Sequence, residues 1–172
     1  EGEAVLKAKK ASNANLGDRT FSFELLDAGG SLIETSPAVK QNETVTFKAI
    51  GYELSDLGGA SSKDFTYKIR EVIPEGATAE NNYTVDGVKY DTHVETVEVK
   101  VEDAGDGTLK ITYNGQTEFT TPEFDNQYSA EGEAVLKAKK ASNANLGDRT
   151  FTFELLDAED NVLQTSPAVR QN

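Results

Sequence analysis

Apolar and polar side chains alternate with a period of two along four stretches: Phe21-Ser22-Phe23-Glu24-Leu25, Val45-Thr46-Phe47-Lys48-Ala49, Phe65-Thr66-Tyr67-Lys68-Ile69 and Val97-Glu98-Val99-Lys100-Val101. Successive side chains of a strand point to opposite faces, so this alternation predicts strands with one buried face. Helical spacing of apolar residues appears nowhere over a useful length. Turn chemistry separates the runs, at Asp27-Ala28-Gly29-Gly30, Gly58-Gly59, Pro74-Glu75-Gly76, Asp103-Ala104-Gly105-Asp106-Gly107 and Asn114-Gly115. Many short strands joined by such turns predict an all-β chain, with a β-sandwich as the architecture.

The pattern also recurs on a larger scale. Glu1 to Asn42 return as Glu131 to Asn172, and Glu1 through Lys10 return unchanged as Glu131 through Lys140. Eight positions differ, Ser22, Gly29, Gly30, Ser31, Leu32, Ile33, Glu34 and Lys40, most of them in or beside one turn. Loop drift with strand retention is the behaviour of a repeated domain. The expected organisation is one complete β-sandwich repeat at 1–130, followed by the N-terminal third of a near-identical repeat at 131–172, as in a tandem array. A chain of 172 residues is long enough for one well-buried core and marginal for two.

Composition narrows the function classes. Asp and Glu outnumber Lys and Arg by 30 to 17, for a net charge of −13, with no long basic cluster, so nucleic acid and anionic membranes are not expected partners. Cysteine is absent, which removes disulfides, thiolate nucleophiles and Cys-based zinc sites together. Any covalent brace must use other chemistry. No segment approaches the roughly 20 apolar residues of a membrane span. There is no charged-then-apolar leader, and Met is missing even at position 1, so the chain reads as an internal fragment of a longer protein.

Parity along three strands singles out three polar residues. Ala4, Leu6, Ala8 and Lys10 share one face of the first strand, while Glu3, Val5, Lys7 and Lys9 share the other. Phe65, Tyr67, Ile69 and Glu71 share a face of a middle strand, and Phe124, Asn126 and Tyr128 share a face of the last. Burial of an isolated ammonium or carboxylate is costly, and the response is neutralisation: the lysine pKa falls and the glutamate pKa rises. A neutral Lys10 amine can attack the side-chain amide carbon of Asn126, while a protonated Glu71 donates to the amide oxygen and relays protons to the leaving ammonia. Phe65, Tyr67, Phe124 and Tyr128 are the aromatic neighbours expected to exclude water. Periodicity alone equally allows three hydrogen-bonded polar groups at strand ends near solvent.

The stretches Leu6-Lys7-Ala8-Lys9-Lys10, Phe21 to Leu25, Val45 to Tyr52, Tyr67-Lys68-Ile69-Arg70-Glu71-Val72, Lys89-Tyr90-Asp91, Val97 to Asp103 and Phe124-Asp125-Asn126-Gln127-Tyr128, taken in order, carry a family likeness. The chain resembles the isopeptide-linkage domains of streptococcal-type pilins, related to the B-type repeats of collagen adhesins. That resemblance covers nearly all of residues 1–130 and rests on the joint order of the stretches. It implies an immunoglobulin-like sandwich, and a bonding set of Lys10 and Asn126 as the cross-linked pair with Glu71 as catalyst. It also implies that the first and last strands lie side by side and parallel. Lys9 adjoins the reactive position and is the alternative lysine. Lys140 is the equivalent lysine of the second repeat.

The resemblance implies a structural stalk or spacer repeat of a Gram-positive bacterial surface adhesin or pilus, extracellular at the cell wall, with neighbouring repeats of the same protein as partners. Strand complementation between molecules through 131–172 is a further expected partner mode. The alternative is an adhesive module that binds a host protein or glycan through sandwich loops such as Tyr52 to Lys63. Turnover catalysis is not expected, because bond formation consumes Lys10 and Asn126. His93, the lone histidine, sits in Tyr90-Asp91-Thr92-His93-Val94 with no cysteine to serve it. Asp103, Asp106 and Gly107 do not have the spacing of a calcium loop and read as a hairpin turn. No metal and no cofactor are expected.

Overall fold

The computed structural model describes residues 1–171 and divides into two units, Glu1–Ala130 and Glu131–Asn172. The first unit contains twelve strands: β1 (Gly2–Ala4), β2 (Lys7–Ser12), β3 (Phe23–Asp27), β4 (Leu32–Thr35), β5 (Thr44–Thr46), β6 (Ile50–Tyr52), β7 (Ser62–Glu71), β8 (Thr84–Val85), β9 (Val88–Lys89), β10 (Val94–Asp103), β11 (Leu109–Tyr113) and β12 (Glu123–Tyr128). Two five-stranded sheets form the sandwich, ordered β11-β10-β7-β3-β4 and β5-β2-β12-β9-β8, and a two-stranded ribbon joins β1 to β6. The all-β sandwich expected from the alternation is the observed architecture.

The core lies between the sheets because each contributes its apolar parity. Phe23, Leu25, Ile69, Val97, Val99 and Val101 come from one sheet and Ala8, Val45 and Phe124 from the other, joined by Leu6 and Phe47. Each is almost wholly removed from water, and full burial of one such aliphatic or aromatic side chain contributes about 1.5–3 kcal/mol. A satellite cluster of Leu16, Phe21 and Val88, flanked by Tyr90 and Tyr128, closes the end of the sandwich nearest Lys10.

Three of the predicted runs are interrupted. The first strand breaks at Val5 and Leu6: β1 pairs with β6, β2 pairs with β5, and between them Leu6 accepts from the Phe47 N–H while the Val5 N–H donates to the Tyr113 hydroxyl. The Val45–Ala49 run breaks off in the same way: β5 ends at Thr46, Phe47–Ala49 lie outside any strand, and β6 starts at Ile50. The chain thus switches partners while Ala4, Leu6, Ala8 and Lys10 all stay buried. Phe21 lies outside β3 and makes only an isolated bridge to Val39, because the Phe23 N–H is taken by the Ser36 hydroxyl at 2.9 Å.

β2 and β12 pair in parallel, with Lys10 opposite Phe124 and Ser12 opposite Asn126. β9 adds to the far side of β12 through Lys89 and Val88. The β8–β9 hairpin turns at Asp86-Gly87, both with positive φ (50° and 76°), the twist-compatible geometry of a two-residue hairpin. Glycine is required at position 87, since a Cβ there would stand 2.5 Å from the Ser129 carbonyl oxygen.

The second unit contains β13 (Thr150–Phe151) paired with β16 (Val169–Arg170), and β14 (Glu154–Leu156) paired with β15 (Val162–Thr165). Residues 131–149 form no strand, although their sequence matches the stretch that makes β1 and β2. Among the described residues no helix is long and apolar enough to cross a membrane.

Candidate functional site

Lys10 is the last core-facing residue of the alternation that begins at Ala4, and its side chain is wholly buried. Glu71 ends β7 on the same parity as Tyr67 and Ile69, and Asn126 follows Phe124 by one pleat of β12; both are buried as well. Three elements from two facing sheets thus converge on one point. The Lys10 Nζ–H donates to Glu71 Oε2 at 2.9 Å and to the Phe124 carbonyl at 2.7 Å, and lies 5.0 Å from the Phe21 ring centroid. The Asn126 Nδ2–H donates to Glu71 Oε1 at 2.9 Å. Glu71 therefore bridges the amine and the amide nitrogen with its two oxygens.

The polar accounting closes. Among the described residues no buried side-chain nitrogen or oxygen lacks a hydrogen-bond partner, which is the condition for tolerating such groups in a core. Desolvation pushes the Lys10 pKa below the ordinary lysine value, against the opposing pull of the Glu71 charge and hydrogen bond. Desolvation likewise pushes Glu71 up, opposed by Lys10 and by the Asn126 amide. Both shifts favour the uncharged pair, a free amine beside a carboxylic acid, and that is the state in which an amine is nucleophilic.

The remaining predicted residues fall elsewhere. Lys9 points to the opposite face of β2, where it pairs with Glu123 at 2.6 Å and stays partly exposed, so it does not enter the cluster. Lys140 belongs to the second unit, with Nζ 4.6 Å from the Phe151 ring centroid, matching Lys10 over Phe21. The aromatic surroundings differ from expectation. Phe65 packs on Tyr52 at 4.8 Å and lies six residues from Glu71 along β7, roughly 20 Å away at the rise of a strand. Tyr67 is engaged by the Tyr52 hydroxyl. Phe124 holds the place expected of it, packed on Phe23 at 5.1 Å and under the His93 ring at 4.4 Å, and Phe21 over the amine takes the part expected of Phe65 and Tyr67.

One contact reverses the expected role of Glu71 at the amide. Glu71 meets the nitrogen of Asn126, and the oxygen, Oδ1, accepts from the backbone N–H of Asp91 at 2.9 Å. The orientation is determined chemically, because a backbone N–H can only donate and so must face the amide oxygen. A main-chain donor has no residue-type signature. Its place depends on the β9–β12 register, which brings the segment after Lys89 alongside Asn126.

Asp103 and Asp106 accept hydrogen bonds from within their own turn, from the Gly105 N–H and from the Thr108 N–H and hydroxyl. Residues 6–129 match the family model described as FctA, the Spy0128-like isopeptide containing domain. No curated protein matches the chain.

Proposed function

The chain belongs to the Spy0128-like isopeptide containing domain family, and from that membership we propose that it is a stalk or spacer segment of a bacterial surface pilus or adhesin, braced by a self-made Lys10–Asn126 amide. The observation that carries the brace is the burial of Lys10, Glu71 and Asn126 in one hydrogen-bonded cluster across the parallel β2–β12 pair.

Proton transfer from Nζ to Glu71 leaves the amine lone pair free. The amine attacks Cγ of Asn126, the Cγ–Nδ2 bond breaks, and Nδ2 departs as ammonia. Glu71 faces the attacking nitrogen with one oxygen and the leaving nitrogen with the other, so one carboxyl group takes the proton that the amine sheds and supplies the proton that ammonia gains. The balance is amine plus primary amide giving secondary amide plus ammonia. The event consumes its own residues and does not turn over.

The test is intact mass and a peptide map of the purified full chain. The expected mass is one ammonia below that of the sequence, with Lys10 joined to Asn126 and both Lys9 and Lys140 free. An unmodified mass, or a link at Lys9, overturns the proposal. In the same reading residues 131–172 start a second repeat, so neighbouring repeats are the first partners, and the segment is displayed at the cell wall.

A second partner mode has support of its own. In the second unit Ala134, Leu136, Ala138, Phe153, Leu155 and Val169 line an open groove of about 610 Å³, and the same six positions of the first unit belong to or pack against its core. Residues 43–130 of another copy offer the complementary face once that copy's own residues 1–42 are displaced from it. Lys10, tethered in the same chain, competes for Asn126 at far higher effective concentration, so the expected product is a monomer with Lys140 unlinked.

A further inference from the structure

Asp91 lies in the segment that crosses from β9 to β10, and its main-chain N–H and both carboxylate oxygens are engaged. Its Oδ1 accepts from the His93 backbone N–H at 3.0 Å and stands 2.7 Å from His93 Nδ1, while Oδ2 accepts from the Asp125 N–H at 2.8 Å. The His93 ring stacks on Phe124 with an interplanar angle of 13°. One carboxylate therefore ties the crossing segment to β12 at the residue preceding Asn126, and an aromatic stack ties it at the residue before that. Partial burial works to raise the Asp91 pKa, but the His93 and Asp125 hydrogen bonds outweigh it and hold the carboxyl below its usual value. An ionised carboxylate is acceptor-only, which suits a group that gathers donors from two strands.

The consequence falls on the Asp91 main chain, whose N–H stands 2.9 Å from Asn126 Oδ1. When an amine adds to Cγ, negative charge accumulates on Oδ1. A donor already at 2.7–3.1 Å in a dry site stabilises that charge without reorganising. Glu71 is occupied with the two nitrogens and leaves the oxygen to another donor. We propose that the backbone N–H of Asp91 is the oxyanion donor of bond formation, and that the Asp91 carboxylate and His93 are positioning residues that hold it on Oδ1. This rests on the Lys10–Asn126 reaction proposed above.

The atoms balance without a further reactant. Nζ–Cγ bond formation moves the carbonyl π electrons onto Oδ1, where the Asp91 N–H receives them. They return as the Cγ–Nδ2 bond breaks and ammonia leaves. The Asp91 proton is never transferred, and the same N–H remains on the oxygen of the product amide.

The clean test replaces the Asp91 peptide N–H by an ester oxygen, using the α-hydroxy acid analogue of aspartate at position 91 in the full chain. Side chain and charge are kept. Wild type, the ester, Asp91→Ala and Asp91→Asn are made by cell-free translation, quenched in acid denaturant at intervals and weighed for ammonia loss. The ester is expected to slow bond formation roughly 10²-fold or more, with the pH profile of the rate unmoved because Lys10, Glu71 and the Asp91 charge are intact. Asp91→Ala is expected to slow it about 10- to 100-fold through misplacement of the donor. Asp91→Asn, uncharged like alanine but still an acceptor, is expected to recover part of that loss. An ester that links at the wild-type rate overturns the assignment and leaves the cross-link standing. If the ester does not fold, equal rates for wild type, Asp91→Ala and Asp91→Asn overturn it instead. A wild-type chain that loses no ammonia overturns the cross-link itself and this assignment with it.

Discussion

Lys9 and Lys10 are adjacent, yet the pleat gives them opposite surroundings. Lys9 pairs with Glu123 at the surface, an interaction worth at most about 1 kcal/mol. Lys10 is wholly buried beside Glu71, where removal of one partner of the unlinked pair leaves a buried polar group unsatisfied, at a cost of about 1–3 kcal/mol. In the proposed amide Lys10 carries no charge, so its coulombic pull, the larger of the two Lys10 contributions that lower the Glu71 pKa, is lost. Burial then acts on Glu71 with less opposition. Its native pKa lies above its unfolded value, so the native state holds the proton more tightly. The resulting stability is fully present below the ordinary glutamate pKa and is lost as pH rises through the native one. The expected result in the linked protein is a Glu71 carboxyl carbon resonance that still reports the acid at pH values where surface glutamates have ionised. Titration of Glu71 together with the surface glutamates refutes this.

The same ten residues, Glu1–Lys10 and Glu131–Lys140, adopt different local structures in the two units. In the first unit they form β1 and most of β2, with Leu6 fully buried. In the second they form no strand, and Val135 and Leu136 are 78% and 68% exposed. A strand's backbone hydrogen bonds are made by its neighbours. β1 and β2 have β6, β5 and β12 beside them, all of which come from residues after 43. By contrast, the hairpin of β3 and β4 is local and reappears as β14 and β15. Hydrogen exchange at low protein concentration is expected to find the Ala8 and Lys10 amides protected and those of Ala138 and Lys140 exchanging close to the rate of unstructured peptide. Equal protection at the two sets would mean that residues 131–172 are covered by another copy.

At the scale of the whole molecule, the proposed bond joins neighbouring parallel strands, one near each end of the first unit. Tension applied through the residues before β2 and after β12 shears that pair, and a covalent link there carries the load past everything between Lys10 and Asn126. The link also closes a loop of roughly 100 residues, which by analogy with disulfides stabilises by about 4–5 kcal/mol through the denatured state. At the entropy of unfolding of a domain this size, that corresponds to roughly 10–20 °C in melting temperature. Asn126→Ala is expected to melt lower than wild type by that margin, with neither protein responding to a thiol reductant. Equal melting temperatures would sink the brace. The excess of acidic residues, −13 overall, surrounds this core with a solvated surface.

Sequence alone determined the alternation, and the alternation selected Lys10, Glu71 and Asn126, because parity on a strand is a local property that tertiary packing reads without changing. It also determined that no thiol chemistry is open to this chain. Tertiary structure decided the contacts that depend on register. It set Phe65 far from the cluster and Phe21 over the amine. It turned the Asn126 nitrogen toward Glu71 and its oxygen toward Asp91. Alternation states which face a side chain occupies but not how far along the neighbouring strand its partner lies, and a main-chain donor such as the Asp91 N–H has no side-chain identity to read. Whether Glu1–Lys10 or its copy becomes a strand was likewise undecided by those ten residues, since the hydrogen bonds that make them one are supplied by partners more than thirty positions away.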